Sequence, residues 1–305
     1  MIQGLTAIGF IILFALSADT CLPIVAHSVN MFLFQILPSI FPFYVAANFL
    51  TSSDLCVKAA NKLSPVTKKL FGLSGCSSIA ILIGFVSGYP AGAKITADLY
   101  KKELITRKEA YTLSAFTNNC GPLFLIGTVG SGLLGNHKIG IILWLIHILS
   151  ALLTGIIFRC RSKDQIPYHL APGLSPSKKQ GLSPCMTDAM MSMIPIGAAV
   201  IFFSAFIGII DSLRLIPEGL SPLTGIVEIT NGISRTISEE GLSPVIKMCL
   251  LSAIAAWSGI SVHIQVTGIL SNAGLSSKKY FLGKIFHMII ATFITLSFFC
   301  FLPIL

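Results

Sequence analysis

The sequence predicts an all-α fold, a polytopic membrane protein of two inverted repeats, each with a re-entrant hairpin and a broken transmembrane helix. Three observations predict it. First, 305 residues that are 54% hydrophobic and 11% charged, with mean hydropathy +0.85, are too apolar for one soluble core and too poorly charged for a soluble surface. Second, uncharged stretches near the roughly 20 residues that cross a hydrocarbon core recur along the chain. Third, Ser114-Ala115 stands seven and sixteen residues before Gly121 and Gly130, and Ser252-Ala253 stands in the same relation to Gly259 and Gly268. Upstream, Pro38 and Phe49 are matched by Pro195 and Phe206. Internal symmetry with Gly and Pro interrupting apolar segments is the sequence pointer to a secondary transporter.

In chain order, residues 1–30 are expected as an N-terminal transmembrane helix, over 2–15, followed by an external loop. The start lacks a basic region and a small-residue cleavage site, so it reads as a retained helix rather than a signal peptide. Residues 31–160 form the first repeat, with spans over 31–50, 111–134 and 139–158. Residues 70–93 are also uncharged, but Gly72, Gly75, Gly84, Gly88, Pro90 and Gly92 make a poor continuous helix. Lysines flank this stretch on both sides, so a segment that dips in and returns keeps both clusters cytoplasmic. Residues 94–104 then suit a short helix at the membrane surface, and Thr106 with Glu109 makes a capping box for the next helix.

Residues 161–188 read as a cytoplasmic linker and 189–305 as the second, inverted repeat, with spans over 189–210, 248–273 and 285–305. Residues 220–233 are too short to cross and are expected as a hairpin entering from the opposite face. Thr236 with Glu239 is a second candidate capping box. The tetrapeptide Gly-Leu-Ser-Pro, ending at Pro176, Pro184, Pro222 and Pro244, is expected to open helices, with Ser as N-cap and Pro as first helical residue. On this topology 17 of the 21 basic residues, Lys284 among them, are cytoplasmic, leaving Lys138, Arg214, Arg235 and Lys247 outside. The N-terminus is then cytoplasmic. The net charge of +9 follows from this retention and does not indicate nucleic acid.

The eight cysteines show neither a disulfide framework nor metal-ligand spacing, so most are expected to pack as small apolar residues, and no metal or cofactor is expected. Neither a zinc-protease motif nor a nucleophile elbow occurs, and catalytic residues are not expected. The expected chemistry is recognition. Pro122 cannot donate to the carbonyl of Asn118, and Pro90 likewise frees that of Val86, so both mark helix breaks inside the membrane. The candidate binding residues cluster at such breaks: Ser87, Gly88, Tyr89, Thr117, Asn118 and Asn119 in the first half, Thr230, Asn231, Ser261 and Gln265 in the second. Half-helix N-termini there would offer N–H groups and a positive dipole end to an anion. Buried amides can equally serve as glue between helices. Glu228 and His263 are the coupling-ion candidates, since an acid within a membrane segment marks an ion or substrate path. His147 has no polar neighbours in sequence and carries no assigned role.

The runs Gly84-Phe-Val-Ser-Gly-Tyr-Pro-Ala-Gly-Ala-Lys94 and Ala115-Phe-Thr-Asn-Asn-Cys-Gly-Pro-Leu-Phe124 resemble the sporulation integral membrane proteins of the YlbJ type. The runs Gly225-Ile-Val-Glu-Ile-Thr-Asn-Gly232 and Ser258-Gly-Ile-Ser-Val-His-Ile-Gln-Val266 are similar to that family's other signature. The resemblance implies the wider group with a nucleoside-recognition, or gate, domain, which includes concentrative nucleoside transporters. It further implies a bacterial cell membrane, including a forespore membrane, and transport of a small solute during endospore formation, with dipicolinic acid as candidate cargo. The expected partners are that anion, the lipid bilayer and further copies of the chain in a homo-oligomer. Alternating access by the two repeats is the expected mechanism; a nucleoside or ion transporter, or a non-transporting scaffold for spore-envelope assembly, are the alternatives.

Overall fold

A computed structural model describes residues 2–51, 54–160, 181–217 and 219–301, all helix and connecting turns. The chain opens with α1 (Ile2–Leu16) and α2 (Ala18–Met31), which meet at a 96° bend. Residues 18–30, expected as a loop, are therefore helical despite Asp19, Asn30 and an internal Pro23. Tertiary packing overrides propensity there. A Cβ on Gly208 would lie 2.8 Å from the Cα of Cys21, so the two backbones are in near contact, and Ser28 Oγ lies 2.7 Å from Ser204 Oγ. Through the π-helical turn Phe32–Ile36, α2 continues into α3 (Leu37–Thr51).

The lysine-rich α4 (Asp54–Phe71) precedes α5 (Ser77–Val86) and α6 (Ala91–Lys101), which pack against each other across a break at Ser87-Pro90. The segment 70–93 is thus not a straight rod. Residues 94–104 are helical only in part, as the end of α6, and one face of that helix, with Gly92, Ala93, Thr96, Ala97 and Leu99, is buried against protein. Lys94, Asp98 and Lys101 stay exposed on its other face. Next comes α7 (Arg107–Phe116), opened by the expected capping box: Thr106 Oγ1 accepts from the Glu109 N–H and Glu109 Oε2 accepts from the Thr106 N–H. Glu109 is fully buried and its Oε1 also accepts from the Ser74 N–H at 2.6 Å. Thr106→Ala is expected to lower thermal stability in detergent by about 1 kcal/mol, the usual value of an N-cap.

After a break at 117–122 the chain forms a π-helical segment, Leu123–Leu133, and then α8 (His137–Ile157), capped by Asn136. Residues 161–180 of the expected linker, with Arg161, Lys163, Lys178, Lys179 and Pro176, lie outside the described residues. The second half begins earlier than expected, with α9 (Leu182–Ser212), 31 residues long. A 3-10 turn, Ser221–Ile226, packs on α10 (Ile229–Ser238). Then come α11 (Pro244–Trp257), α12 (Gly259–Ser271) and α13 (Lys278–Phe301). Of the Gly-Leu-Ser-Pro turns, Ser243-Pro244 opens α11 as expected, with Ser243 Oγ accepting from the Ile246 N–H. Pro184 and Pro222 fall in the first turns of their helices without Ser as N-cap. Thr236 caps nothing: it lies inside α10, donating to the Gly232 carbonyl, and Glu239 ends that helix.

Among the described residues, α8, α9, α13 and the combined Pro244–Ser271 are long and apolar enough to cross a membrane, and α1 with α2 is a bent fifth candidate. The protein is an integral membrane protein. Its exposed large residues on α8, α9 and α13, such as Leu145, Ile194 and Phe293, are apolar, as lipid contact requires. Inside, helices meet on small residues. A Cβ on Gly84 or Gly92 would fall 2.0 or 2.1 Å from the Thr117 carbonyl oxygen, and one on Gly283 would fall 2.1 Å from that of Ala115. Glycines of α5, α6 and α13 therefore grip the C-terminal end of α7 and fix where its break begins.

Candidate functional site

Each half brings a helix break against the tip of the preceding helical pair. In the first, Gly88, with φ +78°, lies against Gly121. In the second, Ser258 and Gly259 both adopt positive φ, near +80°, and Gly259 lies against Glu228. The Ser261 N–H donates to the Val227 carbonyl at 3.0 Å, tying α12 to the tip before α10. The local reason is chemical: Pro122 denies the first break a helical hydrogen bond, and the left-handed Ser258-Gly259 pair ends α11.

Between these tips lies a cavity lined from both halves. Its polar wall comprises Ser87, Tyr89, Glu228, Thr230, Ser261 and Gln265, with Gly88, Cys120 and Gly121 beside them. Its apolar wall comes from Ile36 and Tyr44 before the first break and from Ile196, Ala199 and Val200 of α9. A second cavity, lined by Lys94, Asn48, Ser192 and Pro195, shares Tyr44 and Ser87 with the first. Tyr44 donates from its hydroxyl to the Tyr89 carbonyl at 3.1 Å between the two.

Of the sequence-predicted residues, Ser87, Gly88, Tyr89, Thr230, Ser261 and Gln265 come together on this cavity, and Glu228 with them. Thr117, Asn118, Asn119, Asn231 and His263 do not line it. Thr117 donates to the Leu113 carbonyl within its own helix, and Asn119 Nδ2 to that of Phe116. Asn231 Nδ2 donates to Glu228 Oε2 at 2.9 Å and Ser204 Oγ at 2.8 Å, joining α10 to α9. His263 packs its ring on Trp257 and places Nδ1 2.7 Å from the Tyr280 hydroxyl. Glu228 is the N-cap of α10, and its Oε2 accepts from the Thr230 hydroxyl at 2.5 Å and the Asn231 N–H at 2.8 Å.

Three N–H groups at the breaks are taken by the protein itself. Glu228 takes that of Asn231, Val227 takes that of Ser261, and His147 Nε2 accepts from the Cys120 N–H at 3.0 Å. His147 is thus a ligand of the first break, contrary to its featureless surroundings in sequence. Lys284 needs a larger correction. It is not in a cytoplasmic loop but buried within α13, 1% exposed, donating from Nζ to the Asn118 carbonyl at 3.1 Å. That carbonyl is the one Pro122 leaves unpaired. The available signal was Lys284 and His287 three residues apart inside an apolar helix whose start can be placed at Lys278.

Around them Tyr89 and Cys120 meet at 2.8 Å between Oη and Sγ, and His287 Nε2 donates to the His147 carbonyl at 3.0 Å. The rings of His147 and His287 are 4.5 Å apart. On the opposite side, Arg235 of α10 makes a two-pronged ion pair with Asp211 at the end of α9, at 3.0 and 2.5 Å.

A family model described as Gate, nucleoside recognition, matches residues 33–136, which hold the α5–α6 pair and the first break. The sporulation integral membrane protein YlbJ of Bacillus subtilis (strain 168) is 30% identical over 294 residues, covering 84% of this chain and 72% of that protein. No solved structure matches. With identity at that level over most of both chains, this protein belongs to the YlbJ family of sporulation integral membrane proteins.

Proposed function

We propose that the protein carries a small solute across a membrane of the sporulating cell by alternating access of two inverted repeats, with dipicolinate as the favoured cargo. The observation that carries this reading is the cavity shared by the two halves, bounded by Gly88 and Gly121 on one side and Glu228 and Ser261 on the other. Such interrupted helices meeting around a polar spot are the usual construction of a transporter's binding site. The matched contacts support the inverted relation: α6 packs on α12, and α10 packs on the Leu123–Leu133 segment, so each half's hairpin touches the other half's broken helix. A largely apolar wall with a few hydroxyl and amide groups suits a flat aromatic ring with polar substituents. The N-terminus is cytoplasmic in this reading, which the excess of basic residues in the loops assigned to that side supports.

A nucleoside is the second reading, favoured by the gate description of residues 33–136. Purified protein in liposomes, given dipicolinate or uridine, tests both. Dipicolinate flux that falls severalfold in Gln265→Leu and Ser261→Ala, with equal protein in the membrane, is the expected result. Flux of uridine alone would replace the cargo, and flux of neither would leave a scaffold for envelope assembly.

A further inference from the structure

Lys284 places its amine in the interior of a membrane bundle, and among the described residues it takes part in no ion pair. An ammonium has three donors, and here one of them has the Asn118 carbonyl. Its surroundings hold several buried polar atoms without a partner. His147 accepts the Cys120 N–H on Nε2, so its own proton is on Nδ1, and Nδ1 has no partner although the ring is 1% exposed. Asn118 is 2% exposed and faces the Tyr280 hydroxyl, yet neither atom of its amide reaches hydrogen-bond geometry. The remaining titratable groups near Lys284, Cys120, His263, Tyr280 and His287, supply no carboxylate. Glu228 is on the cavity wall with one oxygen occupied by α10.

A buried charge without a partner is costly, and intramembrane charges usually serve a substrate or ion path. Cys120 connects the two places, since it lines the cavity, bonds Tyr89 and lies within electrostatic reach of Lys284. We infer that Lys284 is the residue that sets the charge specificity of the cavity: its ammonium, behind the Cys120 wall and held on the broken helix, balances the negative charge of a carboxylate-bearing solute. It acts through its field, without touching the solute in this conformation. The inference rests on the reading of the cavity as a cargo site.

The test uses full-length wild type, Lys284→Met and Lys284→Arg in liposomes, with dipicolinate and its neutral diamide as probes. Lys284→Met removes the desolvation cost of the amine but leaves the Asn118 carbonyl without its donor, so flux is normalised to the amount of folded protein in the liposomes. Dipicolinate flux should fall about tenfold or more in Lys284→Met, diamide flux should not, and Lys284→Arg should retain preference for the dianion. A merely structural lysine would move both probes together. Equal dipicolinate flux in wild type and Lys284→Met overturns the inference and leaves the transport reading intact. A wild type that prefers the diamide overturns it without any variant, and a wild type that moves neither probe overturns the transport reading as well.

Discussion

Replacing Gly84 by alanine should abolish recovery of folded protein. The added Cβ would sit 2.0 Å from the Thr117 carbonyl oxygen, and real contacts of this kind stay beyond 3.0 Å, so a backbone must move by an ångström or more. Backbone cannot yield as a flexible side-chain end can, because Gly92 and Gly283 hold the same turn of α7 from two other helices. Overpacking a well-packed interior costs about 3 kcal/mol or more where nothing can relax, a large part of a domain's stability. Size-exclusion chromatography of Gly84→Ala in mild detergent should show aggregate or no protein. The control is Gly268→Ala, where nothing lies within 4 Å, and it should elute like wild type. A monodisperse Gly84→Ala would mean that α5 does not approach α7 as described.

The second large effect is expected at Glu228. In Glu228→Ala the Thr230 hydroxyl, the Asn231 N–H and the Asn231 amide lose a common acceptor in a site 1% exposed. An N-cap is worth about 1 kcal/mol and each stranded buried donor about 1 kcal/mol or more, so a loss of about 3 kcal/mol is expected. It should appear as a fall of about 8 °C in the apparent melting temperature in detergent. Glu228→Gln keeps an acceptor oxygen and should stay within about 1 kcal/mol of wild type. If Glu228 also meets cargo or a proton in the cavity, Glu228→Gln should still lose dipicolinate flux severalfold. Unchanged flux with unchanged stability would assign Glu228 to helix capping alone.

The two breaks were legible from spacing because the same event, a helix break, demands the same residues each time. Gly121 and Gly259, placed in register by the internal repeat, both stand where a hairpin tip meets a broken helix. The repeat is not uniform in its packing. Gly130 lies against Gly140 so closely that a Cβ would be 2.6 Å from its Cα, whereas its counterpart Gly268 faces open space. Residues 18–30 were not legible as helix, because their stability comes from contact with α9, nearly 180 residues away, and not from their own polar composition.

The sequence by itself determined the membrane class, the positions of both breaks, the Thr106–Glu109 cap and the identity of an orphan acceptor, the Asn118 carbonyl. These follow from local covalent rules: proline has no N–H, glycine no Cβ, and a span needs a minimum of apolar length. Only the tertiary structure decided what answers that orphan. Lys284, which does so, lies 166 residues further on, and no local rule brings an ammonium to a particular carbonyl, just as none brings His147 of another helix to the Cys120 N–H. The same holds for Asn231, whose amide is committed to Ser204 of α9 as well as to Glu228 at the start of its own helix. Which buried polar groups are spent on one another, and which are left facing a cavity, is set by contacts between elements distant in the chain.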